Sequence, residues 1–167
     1  QGWRRQGAEI FPFSPLADEA AHGEADAIFL PGGYPELHAG KLSGNAAFLQ
    51  SLRQSKALIY GECGGYMVLG DALIDADGNS HSMAGLLPLV TSFRERRLHL
   101  GYRRLVANAG PWTTALRAHE FHYSTAMSEG IADPLFAATD IAGQSLGNMG
   151  LKRGKVMGSY AHVIAGE

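Results

Sequence analysis

The only cysteine of the chain, Cys63, lies in Gly61-Glu62-Cys63-Gly64-Gly65, where residue type and spacing suit a nucleophile. Glycines two positions before and two after the thiol match the G-x-nucleophile-x-G spacing of a sharp turn between a strand and a helix. Side chains at the flanking positions would collide with neighbouring backbone, and glycine has none. The N-terminus of the following helix is expected to favour the thiolate. The alternative is a buried structural cysteine.

A thiol nucleophile also needs backbone donors for the oxyanion that forms during acyl transfer. The amide N–H of Gly64 directly follows the nucleophile, and that of Gly33 lies in the turn Pro31-Gly32-Gly33. A glycine turn lets the main chain approach a reacting carbonyl group without interference from a Cβ atom. The sequence therefore predicts Gly33 and Gly64 as the oxyanion donors.

The general base is predicted among the histidines, and His162 is favoured because it lies at the far end of the late strand predicted at 155–161. A third residue lining the site is expected at such a strand end. His119 and His122 are the rivals. They are three residues apart and would point to opposite faces of a strand, so they are not expected to act together or to form a metal site.

Alternating strands and helices are expected to position these groups. Apolar runs at 25–30 and 57–60 predict buried strands, and the apolar spacing at 46–55 predicts a helix. This order is typical of an α/β fold with a mainly parallel sheet covered on both faces and a ligand site at the carboxyl ends of its strands. Further predicted elements are a strand at 8–13, a helix at 66–73 and strands at 86–93, 98–105, 115–123, 145–151 and 155–161. The late strands are expected to form antiparallel hairpins in a second layer of one domain that spans 1–167.

Composition excludes several functional classes. The chain has 167 residues, 46% of them hydrophobic, and a formal net charge of −2, so it lacks the basic surface expected for nucleic acid or anionic membranes. No stretch reaches the roughly 18 apolar residues of a membrane span. No Cys/His spacing indicates a metal site. One cysteine cannot form an internal disulfide, so a reducing cytoplasm is expected.

The first seven residues predict the end of a helix that stops at Gly7, followed by the strand at 8–13. A helix end that leads into a strand predicts that an earlier strand lies upstream. We therefore expect a fragment of a longer protein, and we expect a sheet without that first strand to expose unpaired backbone groups and to be unstable alone.

Five blocks of the sequence resemble the class I glutamine amidotransferase domain of cobyrinic or hydrogenobyrinic acid a,c-diamide synthases. The most specific block is Pro31-Gly32-Gly33-Tyr34-Pro35-Glu36, since the related cobyric acid synthases have a different turn there. The blocks follow the order of the family and span nearly the whole chain: 30–38, 61–67, 83–88, 119–124 and 158–162.

The resemblance implies that Cys63 attacks the side-chain amide of glutamine with His162 as the catalytic histidine, and that Gly33 and Gly64 form the oxyanion hole. The ammonia would then be used at an ATP-dependent site, where the a and c carboxylates of a corrin are activated. That site and its Mg-ATP belong to an N-terminal domain, which fits the lack of a G-x-x-x-x-G-K-[ST] loop here. The candidates for contacts with glutamine are Tyr66, His119, Glu120, His122 and Tyr123.

One position departs from the pattern of many class I amidotransferases, which carry a glutamate two residues after the catalytic histidine. Here that residue is Ile164, and the nearest later acid is Glu167. The cobyrinate group lacks this third member, so the resemblance implies a dyad of Cys63 and His162. A backbone carbonyl or Glu120 would then hold the imidazole ring.

Two other classes of function stay open at this stage. A cysteine hydrolase with an α/β-hydrolase-like order would need an acid between nucleophile and histidine, and Asp133 or Asp140 could supply it. A non-catalytic binding module of the same fold is the second alternative. Within the amidotransferase reading, the sequence does not decide among cobyrinic acid, hydrogenobyrinic acid and another tetrapyrrole acceptor, including that of cobyric acid synthase. It also leaves open whether the protein is a homodimer.

Overall fold

The computed structural model describes residues 2–167, in which four α-helices and twelve strands are found. The helices are α1 (Gly2–Arg5), α2 (Ala39–Gly44), α3 (Ala46–Gln54) and α4 (Gly64–Leu69). The first six strands are β1 (Ala27–Leu30), β2 (Leu58–Glu62), β3 (Ala72–Ile74), β4 (Ser80–Ser82), β5 (Leu89–Ser92) and β6 (His99–Ala107). The others are β7 (Leu116–His122), β8 (Thr125–Glu129), β9 (Asp133–Thr139), β10 (Ser145–Arg153), β11 (Val156–Ser159) and β12 (Ala161–Gly166).

The main sheet has eight strands in the order β1-β2-β11-β10-β9-β6-β7-β12. Parallel pairing joins β1 to β2 and β2 to β11, with Leu30 and Gly158 both opposite Gly61. The carboxyl ends of these three strands therefore meet at one edge of the sheet, as expected for a ligand site in an α/β fold. All other pairs in this sheet are antiparallel, so the parallel part is smaller than the sequence predicts.

A smaller sheet in the order β4-β3-β5-β8 packs beside the main one. It corrects the predicted helix at 66–73, because α4 ends at Leu69 and the chain enters β3 three residues later. The amide of Asp71 already donates to the carbonyl oxygen of Leu89, which draws the chain into strand pairing. Pairing with a distant strand thus outweighs the helical tendency of residues 70–73.

The helix predicted at 46–55 is confirmed as α3, and it is held from both ends. Phe48, Leu49 and Leu52 form its buried stripe. Near its beginning, the amide of Phe48 donates to Oδ1 of Asp18 at 2.9 Å, which satisfies one of the unpaired amides of the first turn. Near its end, Arg53 donates to backbone carbonyls in the segment before β5.

The N-terminal segment is partly as predicted. Helix α1 is followed by Gly7 with φ +88°, which confirms the glycine cap, while Gln1 lies outside the described residues. The strand predicted at 8–13 is wrong, because this segment forms no ladder with any part of residues 2–167 and Pro12 lacks an amide donor. Its aromatic side chains pack instead, Phe11 on His22 and Phe13 on Phe48.

The late strands extend the main sheet and do not form a separate layer, apart from β5 and β8 in the smaller sheet. The strand predicted at 155–161 divides into β11 and β12, which pair with different partners. His162 is therefore the second residue of β12 and not the end of the preceding strand. Among the described residues, no helix has both the length and the apolar character required to cross a membrane.

Close contact between α4 and β1 predicts that Gly65 cannot be replaced. A Cβ atom at Gly65 would collide with the carbonyl oxygen of Leu30, and backbone cannot move aside cheaply. We expect Gly65→Ala to lower the free energy of unfolding by about 1–3 kcal/mol or more. Gly44→Ala is the matched control, since a Cβ atom there meets nothing within 4 Å. Thermal or urea unfolding of both variants checks this, and equal stabilities would contradict it.

Candidate active site

The backbone at Cys63 forms the sharp turn that the sequence predicts. Cys63 joins β2 to α4 with φ 47° and ψ −104°, a conformation that a residue with a side chain rarely adopts. Its amide donates to the carbonyl oxygen of Ser159 at 2.8 Å, and its own carbonyl accepts from Met67 at 3.1 Å. The strained residue is therefore held from both the neighbouring strand and the following helix, as is typical of functional sites.

The two predicted oxyanion donors lie next to each other. A Cβ atom on Gly64 would come within 2.8 Å of the amide nitrogen of Gly33. The turn after β1 therefore packs directly against the start of α4, and only glycine at position 64 permits this approach. The structure therefore brings Gly33 and Gly64 together beside Cys63.

His162 lies against the same glycine turn. A Cβ atom on Gly32 would collide with Cε1 of His162, so the imidazole ring contacts the turn that carries Gly33. On its other side the ring stacks on His119, with centroids 4.8 Å apart. Burial lowers the pKa of His162 from its ordinary value, and the nearby histidines His119 and His122 lower it further. His162 is therefore expected to be neutral at pH 7, the form that accepts a proton.

The environment of Cys63 favours the neutral thiol at pH 7, contrary to the prediction of a thiolate. Burial raises the pKa of Cys63 to about 11, and the carboxylates of Glu36, Glu62 and Glu120 add to the effect, while the amide of Gly64 opposes it. The thiol donates to the carbonyl oxygen of Phe121 across 3.8 Å. None of the hydrogen bonds described for residues 2–167 joins Cys63 to His162.

A carboxylate that sequence reasoning missed faces His162. Glu62 is the last residue of β2 and is 8% exposed. Its Oε1 accepts from the amide of Val163 at 3.1 Å, and its Oε2 lies 3.7 Å from Nδ1 of His162. An acid beside the nucleophile at the end of a buried strand was the only local signal.

Glu120 does not hold the ring of His162, contrary to expectation. Its Oε2 accepts from Arg103 at 2.8–2.9 Å, and its Oε1 lies 2.9 Å from Nε2 of His122. Burial favours a raised pKa for Glu120, but the hydrogen bonds from His122 and Arg103 prevail and lower it. Glu120 and His122 face the interior side of β7, whereas His119 lies on the other face with His162. The predicted separation of His119 and His122 is confirmed.

The polar cluster of His99, Glu120 and His122 has donor atoms within 4.8 Å of one another, a spacing that could hold a metal ion. The chemistry of the set does not fit one. The guanidinium of Arg103 already neutralises Glu120, and the rings of His99 and His122 stack at 7°. Lone pairs in nearly parallel ring planes do not converge on one ion.

Two other residues predicted to contact the substrate, Tyr66 and Tyr123, differ in their exposure. Tyr66 is 0% exposed, and its hydroxyl donates to Oε1 of Glu129 at 3.3 Å. Its side chain is therefore buried away from any ligand, contrary to the prediction. Tyr123 is 43% exposed and meets Phe121 edge to face at 5.8 Å. His119 and Tyr123 therefore remain accessible candidates.

The sequence of the whole chain is similar to that of known proteins. A family model described as the CobB/CobQ-like glutamine amidotransferase domain matches residues 3–167. A hydrogenobyrinate a,c-diamide synthase from Sinorhizobium sp is 60% identical over an alignment 171 residues long. The alignment covers 98% of this chain and 38% of that protein. The enzyme of the same name from Brucella abortus is 56% identical, with coverage of 98% and 38%. The chain thus spans less than half the length of these relatives.

Comparison by structure supports the fold class. A crystal structure of a glutamine amidotransferase matches with a TM-score of 0.52 at 14% identity, covering 82% of this chain and 70% of that one. At this identity the likeness shows the fold alone, which confirms the predicted α/β, class I amidotransferase-like architecture.

The raised pKa of Cys63 predicts slow alkylation at neutral pH. Because the thiolate is the reactive form, the rate with iodoacetamide should rise about tenfold per pH unit between pH 7 and 10. Free cysteine is the control, and its rate should level off near its ordinary pKa of about 8.5. Mass spectrometry of the peptide that carries Cys63 measures the rate. A plateau near pH 7 would show that the resting thiol is already ionised.

Proposed function

Because the chain belongs to the family of CobB/CobQ-like glutamine amidotransferase domains, we propose that it hydrolyses glutamine to glutamate and ammonia through a thioester on Cys63. One observation carries this proposal. The strained turn at Cys63 lies against the amides of Gly33 and Gly64, and the turn that holds Gly33 also contacts His162. The proposal therefore assigns the roles of nucleophile, base and backbone donors to groups that lie around one glycine turn at the end of β1.

The protonated thiol determines how the first step proceeds. With a pKa of about 11, Cys63 must lose its proton as it attacks, so the thiol turns from the carbonyl of Phe121 towards neutral His162. Sulfur bonds to the side-chain amide carbon of glutamine, and the thiol proton passes to the imidazole. The imidazolium then protonates the amide nitrogen, the C–N bond breaks, and ammonia leaves a γ-glutamyl thioester.

The second step regenerates the enzyme. His162 accepts a proton from water while the water oxygen attacks the thioester carbon. The C–S bond breaks, glutamate leaves, and the proton returns to sulfur. In both steps negative charge develops on the carbonyl oxygen, and the proposal assigns the amides of Gly33 and Gly64 as its hydrogen-bond donors.

The relatives extend the proposal to the whole protein. They are named hydrogenobyrinate a,c-diamide synthase, and this chain covers 38% of their length. We propose that the ammonia amidates the a and c carboxylates of hydrogenobyrinic acid. Carboxylate activation by Mg-ATP would take place in another domain, since this chain has no phosphate-binding loop. The names of the relatives favour this acceptor over cobyrinic acid and other tetrapyrroles.

The alternative of an α/β-hydrolase-like cysteine hydrolase finds no support in the position of the acids. Asp140 binds the amides of its own turn, Ala142 and Gln144, and Asp133 lies at the exposed start of β9. Within residues 2–167, neither forms a hydrogen bond or ion pair with His162. The chain order of nucleophile, acid and histidine is therefore present in the sequence, but neither aspartate pairs with the histidine.

The proposal predicts different fates for two activities of the full-length protein. Cys63→Ala should abolish glutamine-dependent amidation because no thioester forms, while amidation with added ammonium salt should persist. Amide product from each nitrogen source is measured by chromatography and mass spectrometry. The wild-type protein alkylated at Cys63 serves as a second test of the same expectation. If glutamine-dependent amidation survives Cys63→Ala, the assignment of the nucleophile is wrong.

The paired glycines predict a second contrast. Gly64→Ala places a Cβ atom against the amide of Gly33, so it should displace a donor and lower glutaminase kcat by about 100- to 1000-fold. Gly44→Ala is the matched control, because a Cβ atom there meets nothing within 4 Å and Gly44 is the last residue of α2, outside the site. Steady-state glutamate release measures both. Equal losses in the two variants would contradict the proposed arrangement of donors.

A further inference from the structure

We propose that Glu62 is the positioning residue for His162, taking the part of the acid that the chain lacks two residues after the histidine. The inference rests on the function proposed above. Glu62 adjoins the nucleophile in sequence, yet its side chain reaches β12, which begins 99 residues later. It therefore connects the element that carries the thiol to the element that carries the imidazole.

The two oxygens of Glu62 contact β12 at two points. Oε1 accepts from the amide of Val163 at 3.1 Å, which fixes the backbone directly after His162. Oε2 lies 3.7 Å from Nδ1 of His162. This second distance exceeds a hydrogen bond, but it suits an ion pair and shortens readily when a site closes around substrate. A carboxylate at Nδ1 leaves Nε2 as the base, the division of roles found in acid–histidine pairs.

Burial gives this contact its effect. Glu62 is 8% exposed, and a buried carboxylate is unfavourable unless a donor or a cation compensates it. Val163 supplies one donor. The imidazolium that forms at His162 during thiol attack supplies a positive charge next to the other oxygen. Glu62 thus stabilises His162 most when the ring holds the proton from Cys63.

The other carboxylates near the thiol do not take this role. Glu120 is bound by Arg103 and His122 on the opposite face of β7. Glu36 adds negative charge near Cys63, but within residues 2–167 no contact joins it to His162. The groups that do face His162 are Glu62 and the stacked ring of His119, with His122 adding weaker repulsion.

A simple structural role for Glu62 is the competing explanation, and Glu62→Gln separates the two. Glutamine keeps a carbonyl oxygen that can accept from the amide of Val163, so the tether to β12 persists. It loses the charge that faces Nδ1. Glu36→Gln is the matched control, because it removes a negative charge near the same thiol without altering any contact of His162.

The experiment uses the full-length protein and measures glutaminase kcat and KM, ammonia-dependent amidation and thermal unfolding. We expect Glu62→Gln to lower kcat about 100-fold with KM changed less than about threefold, while ammonia-dependent amidation and the unfolding temperature stay at wild-type values. Glu36→Gln should keep kcat within about threefold. Wild-type kcat in Glu62→Gln, or an equal loss of both amidation activities with a lower unfolding temperature, overturns the inference.

The pH profile gives a readout that a structural tether would not change. Since the carboxylate of Glu62 favours the imidazolium, its removal should shift the acid limb of glutaminase kcat/KM to lower pH, and Glu36→Gln should leave that limb in place. An unshifted limb in Glu62→Gln overturns the inference. Cys63→Ala run in parallel separates the two proposals: if it retains glutaminase activity the proposed function fails, and otherwise only the role of Glu62 is in question.

Discussion

The site depends on one constraint, the positive φ angle of Cys63 at the end of a buried parallel strand. This conformation is unfavourable for a residue with a side chain, so the surrounding structure must enforce it. The hydrogen bond from Cys63 to Ser159 and the glycine contacts of α4 with the turn after β1 do so. Without three adjacent parallel strands, neither support would be in place. The parallel part of the sheet is small, but it is the part that positions Cys63.

The antiparallel strands of the main sheet bring His162 close to the glycine turn beside Cys63. After β11 the chain passes Tyr160 and enters β12, which pairs with β7 at the far edge of the same sheet. His162 and His119 are opposite each other in this pairing, and their rings stack. The antiparallel strands thus curve the sheet so that its last strand meets the turn at Gly32. Glu62, the last residue of β2 and the neighbour of Cys63, contacts β12.

Local features were predictable from the sequence, and features set by distant contacts were not. The turn at Cys63 follows from glycine spacing, and α3 and β1 follow from short-range apolar patterns. The predicted strand at 8–13 failed because it finds no ladder partner among residues 2–167. Strands β8 and β9 were missed because their sequences, Thr125–Glu129 and Asp133–Thr139, carry little apolar alternation. The contact of Glu62 with Val163 joins residues 101 positions apart, which no spacing rule could indicate. The pKa of the thiol likewise depends on burial that only the folded chain creates.

The shielded thiol has a consequence for how the protein withstands oxidants. Peroxides attack thiolates, and Cys63, a residue that is 6% exposed with a thiol pKa of about 11, presents almost no thiolate. Conversion to sulfenic acid, and from there to irreversible products, is therefore slow in the resting protein. Under the proposed mechanism, the thiol becomes reactive only when substrate binds and His162 accepts its proton, so Cys63 is shielded between turnovers.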